Sequence, residues 1–133
     1  MRHLPIGTVA AQTGVSAKTI RYYESTGLIP QAERATNGYR MYSERAVHLL
    51  RFVKRARDLG FSVEQVGALL ALWADEKRES AEVKKLAVTH LEEIERKIVA
   101  LEELRNTMRT LIECCHGDER PDCPILEDLA SAP

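Results

Sequence analysis

The sequence predicts an all-α protein with a small β-wing: a winged helix-turn-helix domain followed by a long coiled-coil dimerisation helix. Three observations carry this prediction. Short helical segments, punctuated by glycines and hydroxyl caps, fill the first 72 residues and are broken once by a stretch containing Pro30 and Asn37-Gly38. Between Ser80 and Glu113 there is neither proline nor glycine, and apolar residues recur at heptad spacing. The charge also divides along the chain. Residues 1–72 hold ten Lys or Arg against five Asp or Glu, a net of +5, whereas residues 73–133 hold nine against fifteen, a net of -6. A basic half joined to an acidic half points to a division of labour, with the basic half suited to a polyanion.

The elements follow in order. A first helix covers about Gly7 to Thr13 and stops at Gly14, since glycine readily adopts the left-handed conformation that ends a helix. Ser16 caps a second helix, Ala17 to about Ser25, with Lys18 and Arg21 in its N-terminal half. Asn37-Gly38, followed by Tyr39 and Tyr42, marks a hairpin flanked by arginines. Ser43 caps a third helix through about Leu59. Ser62 and Gln65 form a capping box for a fourth, reaching about Trp73. Helix, glycine turn, basic helix and hairpin make the winged form of helix-turn-helix, whose second helix enters the major groove of DNA.

The second half reads differently. Leu91, Ile94, Ile98, Leu101, Met108 and Ile112 alternate spacings of three and four, with Arg105 at the one interrupted position and Leu104 and Leu111 widening the stripe. A helix of about 34 residues is about 50 Å long at 1.5 Å per residue. It is too long to bury its stripe on a 72-residue domain, so a second copy is the simplest partner.

The chain closes on "CCHGDERPDCPILEDLASAP", a Gly/Asp/Pro loop and a short helix beginning near Pro124. Cys115 and Cys123 bracket the loop with seven residues between them, enough to curve back onto one ion. Thiolates are soft ligands. A closed-shell monovalent ion takes two opposed thiolates, whereas zinc takes four ligands. Cys114 and His116 could complete a zinc set, but adjacent side chains diverge, and this disfavours zinc. Ser80, a neutral residue at the start of the long helix, adds no third thiolate, so the net charge suits a monovalent ion if the partner subunit brings Ser80 close. A labile disulfide remains the duller reading of the pair.

Composition excludes other classes. No apolar run approaches the roughly 20 residues that span a bilayer, and the N-terminus has no signal-peptide core. The expectation is a cytoplasmic protein with no membrane contact. Neither paired carboxylates, nor a nucleophile beside a base, nor a phosphate loop suggests an enzyme.

The stretch "IGTVAAQTGVSAKTIRYYESTGLI", the hairpin "RATNGYRMYS" and the segment "RARDLGFSVEQV" resemble the DNA-binding domain of the MerR family of regulators. The closing "CHGDERPDCPILEDL" resembles the copper- and gold-responsive, CueR- and CupR-like subgroup of that family. The resemblance implies a homodimer with antiparallel long helices that binds double-stranded promoter DNA. Metal binding would distort that DNA and act on bacterial RNA polymerase indirectly, through the DNA. It further implies that Lys18, Arg21 and Tyr23 lie in the recognition helix, Arg34, Tyr39 and Arg40 in the wing, and Arg57 at a further backbone contact. Ser80 matches a position where divalent-metal members carry cysteine, which points to Cu(I), Ag(I) or Au(I). The expected organisation is a DNA-binding domain at 1–73, a linker at 74–79, a dimerisation helix at 80–113 and a metal loop with its short helix at 114–133. The alternatives are a zinc or other divalent-metal sensor that adds Cys114 or His116, and a metal chaperone, which leaves the basic half unexplained.

Overall fold

A computed structural model describes residues 3–115, 117, 118 and 121–131. His116 lies outside the described residues. Six helices and three strands follow in the order β1 (His3–Pro5), α1 (Ile6–Thr13), α2 (Ala17–Thr26), β2 (Glu33–Arg34), β3 (Arg40–Ser43), α3 (Glu44–Asp58), α4 (Val63–Ala74), α5 (Ser80–Cys114) and α6 (Pro124–Ala130) among those residues. The chain divides into one compact unit ending at Ser80 and a second beginning at Ala81.

Local chemistry sets the first unit's boundaries. Gly14 has φ 73°, and its N–H donates to the Ala10 carbonyl, closing α1. Ser16 Oγ accepts from the Thr19 N–H at 3.2 Å and opens α2. Between them the buried Thr13 hydroxyl donates to the Val9 carbonyl at 2.8 Å and accepts from the Val15 N–H at 3.3 Å, which stiffens the tight turn. Ser43 caps α3. Ser62 and Gln65 complete a reciprocal capping box on α4, at 3.1 Å and 2.8 Å.

The wing is a three-residue turn. The Ala35 N–H donates to the Tyr39 carbonyl at 2.9 Å, and the Gly38 N–H donates to the Ala35 carbonyl at 2.8 Å. Gly38 has φ 85° while Asn37 stays at negative φ, so the glycine alone takes the left-handed position. Asn37 contributes through its side chain, whose Oδ1 accepts from the Tyr39 N–H at 3.1 Å. A third strand, β1, pairs antiparallel with β3 on the edge opposite β2, with Leu4 facing Tyr42. Composition gives β1 no signal, being three residues ahead of a helix.

The core of the first unit is formed by Val9, Ile20, Leu50, Val53 and Val66, all fully buried, with Tyr42 beside them. Burying each such side chain stabilises the fold by roughly 1.5–3 kcal/mol. Trp73 stacks on Phe52 with ring centroids 4.6 Å apart, fastening α4 to α3.

In the second unit α5 runs 35 residues without a break, about 52 Å at 1.5 Å per residue. Leu91, Ile98, Leu101, Leu104, Met108 and Ile112 are 48–64% exposed in the single chain, and Ile94 is half-buried. The single chain thus leaves an apolar stripe uncovered along this helix. No described helix is long and apolar enough to cross a membrane.

Candidate functional site

Lys18 and Arg21 project from α2 as exposed side chains. Arg21 shares a surface depression with Gly38, Tyr39 and Arg40 of the wing, floored by Pro5 and Ile6. Helix α2 and the wing therefore meet at one place. Tyr39 is 70% exposed at the wing tip, and Arg34 Nη1 donates to the Gly38 carbonyl at 3.1 Å, stapling the turn.

Glu24 holds the wing on α2. Its side chain is 10% exposed. Oε1 accepts from the Tyr42 hydroxyl at 2.6 Å, and Oε2 accepts from the Ala32 N–H at 3.2 Å. Arg40 Nη1 stands 3.8 Å from Oε1. Part of the Arg40 charge is thus directed inward. The Tyr42 phenol is pushed up to about 12, first by burial and then by the neighbouring Glu24 carboxylate. Residue spacing offered no sign of this cluster, whose members are up to 18 positions apart.

Tyr23 lies on α2 but on its core side: it is 7% exposed, whereas its neighbour Tyr22 is 53% exposed. The aromatic surface of α2 open to a ligand belongs to Tyr22, and Tyr23 touches the surface only where it lines a second depression. That depression is also lined by Gly14, Ser16, Thr19, Lys54, Arg57 and Asp58. Arg57 Nη1 donates to the Phe61 carbonyl at 2.8 Å and so braces the turn between α3 and α4. The helical phase held the signal for Tyr23: Ile20 lies three residues earlier, on the same face, and is fully buried.

At the other end of the chain, Cys114 is the last residue of α5 and is exposed. Cys115 follows, half-buried, its N–H donating to the Ile112 carbonyl at 3.1 Å. Cys123 is half-buried and occupies the N-cap position of α6, with Pro124 as the first helical residue. Gly117, at φ 61°, turns the chain after the helix. None of the three cysteines is in a disulfide. Among the described residues no group of three or more His, Cys, Asp or Glu side chains is arranged to hold a metal ion. Ser80 opens α5 and Cys114 ends it, so the length of the helix separates Ser80 from the cysteines of its own chain.

Two family models match the chain, "MerR HTH family regulatory protein" over residues 4–72 and "MerR, DNA binding" over residues 47–111. The heavy metal-dependent transcription regulator 2 of Rhizobium meliloti is 55% identical over 126 residues, which is 95% of this chain and 86% of that protein. The HTH-type transcriptional regulator CueR of Salmonella typhimurium is 41% identical over 125 residues, 94% of this chain and 91% of that protein. Among solved structures, the lead(II) complex of the transcription regulator PbrR691 of Ralstonia metallidurans superposes with a TM-score of 0.80 at 27% identity. It covers 95% of this chain and 98% of its own.

Proposed function

Since the chain belongs to the MerR family of DNA-binding transcription regulators, we propose that it is a homodimeric, metal-responsive activator that senses Cu(I), Ag(I) or Au(I) through Cys115 and Cys123. It is a regulator and not an enzyme, as its family and relatives are. The relatives named as heavy-metal regulators and as CueR support a metal as the signal.

One observation carries the choice of ligands. Cys115 and Cys123 are unbonded thiols, each half-buried, one just past α5 and the other at the cap of α6. Two helix ends thereby present two sulfurs across one loop, while Cys114 faces outward at the helix terminus. Two thiolates fit a soft monovalent ion and leave a net charge of -1 at the site. A bound ion would be held by the Cys115 and Cys123 thiolates and would tie the loop to both helices. Ser80 is the neutral neighbour that this charge balance needs. Because it lies a helix length from the cysteines of its own chain, it reaches them only in an antiparallel dimer.

Dimerisation proceeds through Leu91, Ile94, Ile98, Leu101 and Met108. In each protomer Lys18 and Arg21 enter the major groove of promoter DNA. Arg34, Tyr39 and Arg40 follow the adjacent backbone, Arg57 contacts a phosphate, and Tyr23 contributes its hydroxyl edge. Residues 1–73 form the DNA-binding domain, 74–79 the linker, 80–113 the dimerisation helix and 114–133 the metal loop with its helix. Metal bound at the loop changes the distortion of the bound promoter, so bacterial RNA polymerase is addressed through the DNA. The protein acts in the cytoplasm.

The lead(II) complex among the structural neighbours favours a second reading, a divalent sensor that adds Cys114. Titration of the reduced dimer with Cu(I), Ag(I), Zn(II) and Pb(II), read by thiolate absorption and competition with chelators, separates the two. One monovalent ion per loop, with weak Zn(II) and Pb(II) binding, is the expected result. Tighter divalent binding that Cys114→Ser removes would establish the second reading instead.

A further inference from the structure

We infer that the depression above the helix-turn-helix turn is a clamp for a single backbone phosphate of DNA, with Lys54 as its principal cation. The inference rests on the DNA-binding reading above and adds to it Lys54, which the sequence reading did not single out, as the cation that joins Arg57 and Tyr23 at one phosphate.

Three elements converge there: the turn at Gly14 and Ser16, α2 through Thr19 and Tyr23, and α3 through Lys54 and Arg57. Lys54 reaches the site by crossing directly over Gly14. A Cβ at Gly14 would lie 3.0 Å from Lys54 Cε and 3.5 Å from Cδ. The glycine thus serves twice, supplying the left-handed turn and leaving room for the lysine stem. Lys54 Nζ stands 3.1 Å from Asp58 Oδ2 and 3.4 Å from Oδ1. Both partners are substantially exposed, 39% and 53% for the side chains, so the pair contributes little stability and its cation exchanges readily to a stronger anion.

The remaining groups suit a phosphate. Arg57 is held by its bond to the Phe61 carbonyl, and a guanidinium retains further donors after making one such bond. The Ser16 hydroxyl is committed to Thr19, donating to Oγ1 at 2.8 Å while accepting from the N–H. This fixes the N-terminal end of α2, where the helix dipole favours negative charge. Tyr23, 7% exposed, lines the same depression as Lys54 and Arg57. Its phenol O–H is a donor at the wall of that depression, and a phosphodiester oxygen is an acceptor for it. Asp58 opposes that anion and competes for Lys54, so it weakens the clamp.

The test uses the full-length protein and a duplex that it selects from a randomised pool, with affinity read by fluorescence anisotropy across a salt series. Lys54→Gln should reduce the log-log salt slope by about 0.9 and weaken binding on the order of tenfold at physiological salt. Tyr23→Phe should weaken binding a few-fold with no change of slope, because it removes a neutral donor. Asp58→Asn should tighten binding. Neutral methylphosphonate groups placed one at a time along the duplex should reveal one position per half-site where Lys54→Gln and the wild type no longer differ. An unchanged slope for a well-folded Lys54→Gln protein that still selects its duplex overturns the clamp and leaves the DNA-binding reading intact. So does the failure of every methylphosphonate position to erase the difference. If the wild type selects no duplex, the DNA-binding reading fails and the clamp fails with it.

Discussion

Glu24 shows how much a single carboxylate organises. It joins Tyr42 of β3, the Ala32 N–H and Arg40, so that one nearly buried acid sets the angle between α2 and the wing. The cost of burying it is offset by three partners, one of them charged. Tyr42 carries the pH consequence. In the unfolded chain its phenol ionises near 10, and in the folded protein near 12. The folded pKa is the raised one, so its contribution is complete below pH 10 and is lost as pH rises toward 12. Urea unfolding across that window should show a loss of at most about 3 kcal/mol attributable to this group. Tyr42→Phe should flatten that loss, while lowering stability at neutral pH by roughly 1–2 kcal/mol through the missing hydrogen bond to Glu24. An alkaline transition unchanged by Tyr42→Phe would assign the pH dependence elsewhere. The cysteines are tested at the same scale. Cys115→Ser and Cys123→Ser should each abolish the Cu(I) response of a reporter promoter while DNA affinity stays within about twofold, and Cys114→Ser should retain most of the response. Loss of response from Cys114→Ser alone would show that the ligand pair is misassigned.

Secondary structure was legible wherever its cause was local. Gly14, Ser16, Ser43 and the Ser62–Gln65 box mark helix ends in the sequence because capping involves residues no more than four apart, and each occupies the expected position in the structure. The long helix was equally legible, since an uninterrupted heptad stripe is a regional pattern. β1 was not, because its pairing partner is some forty residues away and three residues carry no periodicity. The Glu24 cluster is non-local in the same way. Tyr23 lies on α2 as its motif implies, and its burial follows from its phase with the fully buried Ile20, three residues earlier. The seam of α5 yields the prediction at this scale. Leu101 is 64% exposed in the single chain, and Ile94 lies on the same stripe. Their replacement should therefore spare the fold of one protomer and strike its association. Ile94→Asp with Leu101→Asp removes roughly 1.5–3 kcal/mol of burial per side chain in each protomer and adds unpaired charge. Sedimentation should then show monomers at concentrations where the wild type is dimeric. An intact dimer would place the interface on another face.

At the scale of the molecule, charge and symmetry make a joint demand. The half that carries α2 and the wing has a net charge of +5, and the half that carries α5 and the cysteines has -6. The polyanion-binding and cation-sensing functions are thus allotted to different parts of the chain. Two copies related by a two-fold axis present two identical basic faces, and a two-fold protein reads a site with two-fold symmetry. The selected duplex should be a palindrome, and affinity should fall steeply as salt rises, since each neutralised phosphate contributes a slope near -0.9. On the proposed reading metal binds the loop at Cys115 and Cys123 and not the DNA-contacting side chains, so apo and Cu(I)-bound dimers should bind that palindrome with affinities within about tenfold of each other, a coupling of no more than about 1.4 kcal/mol. What should change is the DNA. Its reactivity toward a probe of unstacked bases should rise at the centre of the palindrome when Cu(I) is added, and Cys123→Ser should abolish the rise without loss of binding. A metal chaperone would show no selected palindrome at all. A repressor released by metal would show Cu(I)-dependent loss of affinity by orders of magnitude. Either result would overturn the activator reading, because activation through a distorted promoter requires the metal-bound protein to remain on the DNA.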